Sequence, residues 1–158
     1  MRILFVCLGN ICRSPTAEAV MKDLIEREGL TAGIEVDSAG TGDWHIGSPS
    51  DSRASEAAAR RGFEMNGLAR QVTVDDFDHF DLIVAMDGLN HADLLALSGG
   101  ENPKVRLLRE IGGDEETDVP DPYYGGDDGF EEVLDIVERG CRALLEEVRP
   151  DQAGAGGP

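Results

Sequence analysis

Residues 7–15 read CLGNICRSP, and this stretch decides the fold because it joins a predicted strand to a predicted helix. The apolar run before it, residues 3–6, is typical of a buried parallel strand, and the run after it predicts a helix from Pro15 to Glu28. Backbone N–H groups in the first turn of a helix have no partner within the helix. The stretch therefore predicts an anion-binding loop at the mouth of a helix.

The residue types in this loop add a reactive group and a fixed positive charge. Cys7 ends the strand, where the helix N-terminus and Arg13 both favour its thiolate form. Arg13 presents a planar fork that matches two oxygens of a phosphoryl group. Gly9 and Asn10 tolerate backbone angles that turn N–H groups inward. A buried structural role would explain Cys7 alone, but it would not explain the whole nine-residue pattern.

The length and composition predict one soluble domain. The chain has 158 residues, enough for a single core, and we expect that domain to span residues 1–149. Residues 150–158 are rich in Gly, Ala and Pro and are predicted to form a disordered tail. The sequence contains no long apolar run, no signal-peptide pattern and no metal-type pairing among its three cysteines. We therefore expect a cytoplasmic protein without a metal or another cofactor.

The charge is strongly negative and unevenly distributed. The net charge is −18 at pH 7, yet residues 1–33 contain four basic and four acidic side chains and contribute nothing to it. Nucleic acids and anionic membranes bind basic surfaces, so we expect neither as a partner. Most of the carboxylates are expected only to keep the protein soluble.

Strands and helices alternate along the rest of the chain. This order predicts a doubly wound α/β fold, in which a four-stranded parallel sheet carries helices on both faces and the anion-binding loop follows the first strand. Further strands are predicted at residues 34–38, 81–86 and 105–108, with a weak one at 68–74. Further helices are predicted at residues 50–61, 89–97 and 128–148, and a turn at 76–80. Asp87 is expected to cap a helix, and Cys141 to lie in the core.

The chain resembles the low-molecular-weight protein tyrosine phosphatases. The resemblance rests on residues 7–15, on DSAGT at 37–41 and on DPYY at 121–124, and it extends to about Pro150. It implies a strand order of 2-1-3-4. It also implies a metal-independent enzyme that hydrolyses phosphotyrosine and aryl phosphates through a phosphocysteine intermediate.

The resemblance also implies roles for individual residues. Cys7 would be the nucleophile, Arg13 would hold the phosphoryl oxygens, and Asp121 would protonate the leaving phenolate, with Asp118 as a nearby competitor. The remaining members of the phosphate-binding loop would be Leu8, Gly9, Asn10, Ile11, Cys12 and Ser14. The substrate pocket would be lined by Trp44, His45, Tyr123 and Tyr124. Ser38 would support the loop through a hydrogen bond to Asn10.

Two features of this resemblance leave questions open. The family usually has a histidine two residues before its Ala-Arg pair, and this chain has Gly67 at that position. In the family this histidine joins the hydrogen bonds that support the phosphate-binding loop, so the rigidity of that network is in question here. Cys12 is either a redox partner, forming a reversible disulfide with Cys7, or a packed loop thiol. The sequence does not decide between these two roles.

Other functions fit the sequence less well than the phosphatase. A nucleotide-binding loop needs a lysine after its second glycine, and this loop has none. Thioredoxin-coupled arsenate reductase, on the same fold, carries an extra cysteine pair, whereas residues 66–100 contain no cysteine. A binding module without turnover would more plausibly lack Cys7 or Asp121. The protein-arginine phosphatases place threonine where Ile11 stands, and an apolar Ile11 suits a phenyl ring better.

Arsenate reduction and phosphoarginine hydrolysis remain the alternative activities. The expected partner is a phosphotyrosine protein or peptide that is not strongly acidic around the target residue. The protein is expected to be a monomer or a weak dimer.

Overall fold

The elements follow the alternating order that the sequence predicts. The computed structural model describes residues 1–123 and 127–149. In chain order, the elements are β1 (Arg2–Cys7), α1 (Arg13–Arg27), β2 (Glu35–Gly40), α2 (Ser52–Arg60), α3 (Asp76–His79), β3 (Leu82–Ala85), α4 (Gly88–Ser98), β4 (Val105–Leu107), α5 (Leu108–Ile111) and α6 (Asp127–Val148).

The sheet has the predicted order, β2-β1-β3-β4, and every neighbouring pair is parallel. β1 takes a central position because residues 3–6 are apolar without interruption, and all four are fully buried. β2 lies on one side of β1 and β3 on the other, so the chain reverses its winding direction at β1. The carboxyl end of β1, at Cys7, therefore lies at the point where open α/β sheets bind their ligands.

Helices cover both faces of the sheet, as predicted. Ile3 and Phe5 point into a core that includes buried residues of α1 and α6. Leu4 and Val6 point to the opposite face, where Phe77 of α3 and Leu94 of α4 pack. Because side chains alternate along a strand, the apolar run of β1 serves both layers at once.

Two local predictions are wrong in the middle of the chain. Residues 68–74 form two isolated bridges rather than a strand. The carbonyl of Arg70 accepts from the N–H of Gly40, in β2, and the N–H of Val72 donates to the carbonyl of Gly40. The N–H of Arg70, in contrast, donates to the side chain of Asn10. The peptide groups of this segment are thus divided among different partners. Residues 76–80, predicted as a turn, contain the short helix α3.

α6 closes one face of the molecule. Its buried apolar positions, among them Phe130, Leu134 and Cys141, pack against α1, so the predicted core position of Cys141 is confirmed. No helix in the described ranges is both long enough and apolar enough to cross a lipid bilayer. The predicted tail, residues 150–158, lies outside the described residues.

Candidate active site

The phosphate loop, residues 7–14, runs from the end of β1 into the first turn of α1. Cys7 is the last residue of β1 and Arg13 the first of α1. Both side chains are almost completely buried from solvent, at 2% and 3% exposure. The five residues between them connect two rigid elements, so the cysteine and the arginine are held at opposite ends of one short loop.

The sulfur of Cys7 lies within hydrogen-bond distance of two polar groups of its own loop. The backbone N–H of Asn10 donates to Sγ at 3.3 Å, and the hydroxyl of Ser14 lies 3.0 Å from Sγ. Donors aimed at sulfur stabilise a thiolate relative to a thiol. Ser14, a predicted member of the phosphate-binding loop, thus contacts the sulfur of Cys7 directly.

Asn10 fixes the shape of the loop. Its φ is +59°, and it is the one residue other than glycine with a positive φ among the described residues. Its amide donates to Ser14 at 2.9 Å and to Ser38 at 3.0 Å, and its Oδ1 accepts from the N–H of Arg70 at 2.9 Å. The hydrogen bond between Ser38 and Asn10, expected from the family resemblance, is present.

Glu18 completes the network behind the loop, and sequence reasoning missed it. The hydroxyl of Ser38 donates to Glu18 Oε1 at 2.6 Å. Near Gly67 the chain leaves a cavity of about 120 Å³, lined in part by Asn10, Glu18 and Ser38. A Cβ added at Gly67 would have no neighbouring atom within 4 Å. The hydrogen bonds that link Asn10 to Ser38 and Ser38 to Glu18 thus form without a side chain at Gly67.

Two groups outside the phosphate loop accept hydrogen bonds from Arg13. Its Nη1 donates to Asp87 Oδ2 at 2.6 Å and to the carbonyl of Val119 at 3.0 Å. Burial alone would lower the pKa of Arg13, but Cys7 and Asp87 outweigh it and raise the pKa above its ordinary value. Asp87 also accepts from the N–H of Asn90 at 2.7 Å, so the predicted cap of α4 is confirmed. The guanidinium is therefore a permanent and immobile cation.

The acid loop, residues 119–123, brings a second carboxylate to the same place. Asp121 Oδ2 lies 3.6 Å from Arg13 Nη2, and its Oδ1 accepts from the N–H of Tyr123 at 3.0 Å. The side chain of Asp121 is 40% exposed. Asp118, the competing candidate, instead accepts from the N–H of Gly88 at 2.8 Å, at the start of α4. Of these two carboxylates, Asp121 is the one that lines the cavity beside Cys7.

A cavity of about 360 Å³ opens above the phosphate loop. Three of the four residues that the resemblance assigns to the substrate pocket, Trp44, His45 and Tyr123, line this cavity, and Tyr124 lies outside the described residues. Trp44 is 68% exposed, and its ring lies so close to Gly42 that a Cβ there would be 1.7 Å from Cζ3. The other lining residues are Cys7, Leu8, Gly9, Ile11, Cys12, Arg13 and Asp121. A flat group bound here would meet aromatic walls and a polar floor.

Arg53 is a second contact that sequence reasoning missed. The sequence predicts a helix at residues 50–61 but assigns Arg53 no role in the site. In the structure, the guanidinium of Arg53 donates to the carbonyl of Tyr123, in the acid loop, at 2.9 Å. No local sequence signal links these two positions, which are 70 residues apart.

The three cysteines are free thiols with different surroundings. Cys12 is buried in the loop, and burial, together with Asp51 and Cys7, raises its pKa to about 12. Burial also raises the pKa of Cys141 in the core. Within the described ranges, no group of three or more His, Cys, Asp or Glu side chains could hold a metal ion.

Comparison with known proteins agrees with this geometry. The sequence model of the low molecular weight phosphotyrosine protein phosphatase family matches residues 2–153. The low molecular weight protein-tyrosine-phosphatase YfkJ of Bacillus subtilis is 46% identical over 153 residues, covering 95% of this chain and 97% of YfkJ. A crystal structure of YfkJ superposes with a TM-score of 0.89 and covers 96% of each chain.

Two further solved structures are similar to this chain. A protein tyrosine phosphatase from Entamoeba histolytica is 42% identical, with a TM-score of 0.89 and coverage of 94% of this chain and 97% of that one. A drosophila arginine phosphatase is 34% identical, with a TM-score of 0.87 and coverage of 96% and 100%. With the family match spanning nearly the whole sequence, the chain belongs to the low molecular weight phosphotyrosine protein phosphatase family.

Proposed function

We propose that this chain hydrolyses phosphotyrosine in proteins or peptides, and other aryl phosphate monoesters, without a metal ion. The observation that carries the proposal is the convergence of three groups on one cavity. Cys7 and Arg13 form its floor, and Asp121 stands at its side, 3.6 Å from Arg13. A nucleophile, a fixed cation and a carboxyl group are the parts that phosphate-monoester cleavage needs.

The first step forms a phosphocysteine. The Cys7 thiolate attacks phosphorus in line, a P–S bond forms and the bond between phosphorus and the phenolic oxygen breaks. Arg13 and the N–H groups of residues 8–13 hold the three equatorial oxygens, where negative charge accumulates in the transition state. Protonated Asp121 gives its proton to the departing oxygen, so tyrosine leaves as a neutral phenol.

The second step releases phosphate. Asp121 is now a carboxylate and takes a proton from a water molecule, whose oxygen attacks phosphorus as the P–S bond breaks. Ser14 lies 3.0 Å from Sγ and can donate to the thiolate as it leaves. The free enzyme is thereby restored with Cys7 ionised.

The walls of the cavity support an aromatic substrate. Tyr123 and His45 lie on one side, with ring centroids 6.2 Å apart, and exposed Trp44 also borders the opening. Ile11 adds an apolar surface next to them. A phenyl ring would bury apolar area against these residues, whereas the charged guanidinium group of phosphoarginine would gain less from them.

The wider setting is also proposed from the sequence. The net charge of −18 opposes substrates with strongly acidic segments around the phosphotyrosine. The three free thiols fit a reducing compartment, so we place the enzyme in the cytoplasm. We infer that residues 1–149 act as one domain, as a monomer or a weak dimer.

The test is the hydrolysis of p-nitrophenyl phosphate in excess EDTA under reducing conditions. The wild type should turn over, and Cys7→Ser should lose more than about 10⁴-fold in kcat, because the nucleophile is gone. Phosphotyrosine and phosphoarginine peptides of the same sequence should then be compared. Faster hydrolysis of the phosphoarginine peptide would move the chain to the arginine phosphatases, and no turnover by the wild type would refute the proposal.

A further inference from the structure

The N-terminus of α2 lies between the phosphate loop and the acid loop. Asp51 caps α2, accepting from the N–H groups of Arg53 at 2.8 Å and Ala54 at 3.3 Å. The N–H of Asp51 itself donates to the carbonyl of Ile11, in the phosphate loop, at 2.8 Å. The start of α2 is therefore fixed to the loop that holds Cys7.

Arg53 extends from this fixed point to the acid loop. Its Nη2 donates to Asp51 Oδ2 at 3.0 Å and to the carbonyl of Tyr123 at 2.9 Å. The guanidinium carbon lies 5.6 Å from the ring centroid of Tyr123 and 4.9 Å from that of Phe130, on α6. A planar group that donates several hydrogen bonds and lies within 6 Å of two aromatic rings has little freedom to move.

Tyr123 transmits this constraint to Asp121. The N–H of Tyr123 donates to the carboxylate of Asp121, and the carbonyl of the same residue accepts from Arg53. Among the described residues, the Asp121 carboxylate also forms a 3.6 Å ion pair with Arg13. We propose that Arg53 is a positioning residue, which sets the distance between the Asp121 carboxyl group and the phosphate loop by holding Tyr123.

This inference rests on the proposed function, in which Asp121 protonates the leaving oxygen. A displaced Asp121 would transfer its proton less effectively, and that failure matters most when the leaving group is a strong base. Phenolate is a much stronger base than p-nitrophenolate, because the nitro group withdraws charge from its oxygen. Loss of Arg53 should thus slow phenyl phosphate more than p-nitrophenyl phosphate. A general loss of folding or of phosphate binding would slow both esters alike.

The experiment measures kcat/KM for both esters, because this ratio reports the steps up to formation of the phosphocysteine. Arg53→Met keeps an unbranched side chain and removes all donors. Its matched control is Arg60→Met on the same helix, since Arg60 pairs with Glu131 rather than with the acid loop. We expect Arg53→Met to raise the preference for p-nitrophenyl phosphate by about 10-fold, and Arg60→Met to leave it unchanged.

A double-mutant cycle makes the test specific to Asp121. In an Asp121→Asn background the acid is already absent, so Arg53→Met should change the preference between the esters by less than about twofold. An unchanged preference in Arg53→Met alone, with a clear change in Asp121→Asn, would overturn the inference and spare the proposed function. No change in either variant would overturn both.

A second variant covers the case in which Arg53→Met does not fold. Arg53→Lys keeps a positive charge near Tyr123, but its single ammonium group cannot reproduce the planar fork that joins Asp51 to Tyr123. We expect it to shift the preference in the same direction by about threefold. If Arg53→Lys slows both esters equally, the positioning role is refuted.

Discussion

The phosphate loop and the acid loop supply the two halves of one reaction, yet they are built differently. In the phosphate loop, Cys7, Asn10, Arg13 and Ser14 are all at most 3% exposed, and their polar atoms bond to one another or to neighbouring elements. In the acid loop, the side chain of Asp121 is 40% exposed, and among the described residues it has one hydrogen bond, to Tyr123, and one ion pair, to Arg13.

This difference follows from what each half must do. The phosphate loop stabilises charge on oxygens that hardly move, so a rigid and buried set of donors suits it. The carboxyl group must give up a proton and later accept one from water, so it needs access to solvent. The buried hydrogen bonds are therefore concentrated in the phosphate loop, and the acid loop stays accessible to solvent.

Substitution of Arg13 should produce the largest effect, because it damages the buried half. In Arg13→Lys the positive charge stays, but the two-pronged contact with the phosphoryl oxygens is lost. The hydrogen bond from residue 13 to Asp87 or the one to the carbonyl of Val119 is lost as well. We expect kcat/KM on p-nitrophenyl phosphate to fall by about 10³-fold. The free energy of unfolding, measured in urea, should fall by about 1–3 kcal/mol, since buried acceptors lose a donor.

Asp87→Asn is the matched control for Arg13. An asparagine can still accept from the N–H of Asn90 and cap α4, but it no longer neutralises Arg13. A loss of activity much smaller than that of Arg13→Lys is expected. Activity of Arg13→Lys within tenfold of the wild type would show that the fork of Arg13 does not hold the transition state.

Asp121→Asn should separate activity from stability, because it alters only the exposed half. The asparagine cannot donate a proton to phenolate, so kcat/KM on phenyl phosphate should fall by about 10²-fold. The free energy of unfolding should change by less than about 0.5 kcal/mol, because the side chain is 40% exposed and an asparagine can still accept from the N–H of Tyr123. A urea titration beside the kinetics checks both. Marked destabilisation would contradict the contrast between the two loops.

The contrast between the two loops also explains which parts of the site could be predicted from the sequence. The phosphate loop is contiguous, so the nine residues from 7 to 15 contain the nucleophile, the cation and the turn-forming residues together. The central position of β1 was also predictable, because a strand buried on both faces is apolar throughout. Local patterns were sufficient wherever the interacting groups are neighbours in the chain.

Contacts between distant segments could not be predicted in this way. Arg53 is 70 residues from Tyr123, and Glu18 is 20 residues from Ser38, so their hydrogen bonds depend on the finished fold. The error at residues 68–74 has the same origin. The N–H of Arg70 bonds to Asn10, 60 residues away in the chain, so a tertiary contact takes the place of the strand that the sequence predicts.

Substitutions of Asn10 test the buried half with the smallest expected loss of activity. It combines a positive φ with a side chain that bonds to Ser14 and Ser38. Asn10→Gly removes the side chain and keeps the backbone angle accessible, whereas Asn10→Ala also introduces strain in the left-handed region. The alanine variant should be less stable than the glycine variant by about 1 kcal/mol in urea unfolding.

The kinetics of the same two variants show which property of Asn10 matters for Cys7. Both lose the donors to Ser14, so both should slow p-nitrophenyl phosphate hydrolysis, by about tenfold if the network orients the Ser14 hydroxyl towards sulfur. If the glycine variant keeps full activity, the side-chain network is dispensable and the backbone N–H at 3.3 Å from sulfur is sufficient. If both variants are slow to the same extent, the rigidity of the phosphate loop depends on the hydrogen bonds behind it as much as on the turn itself.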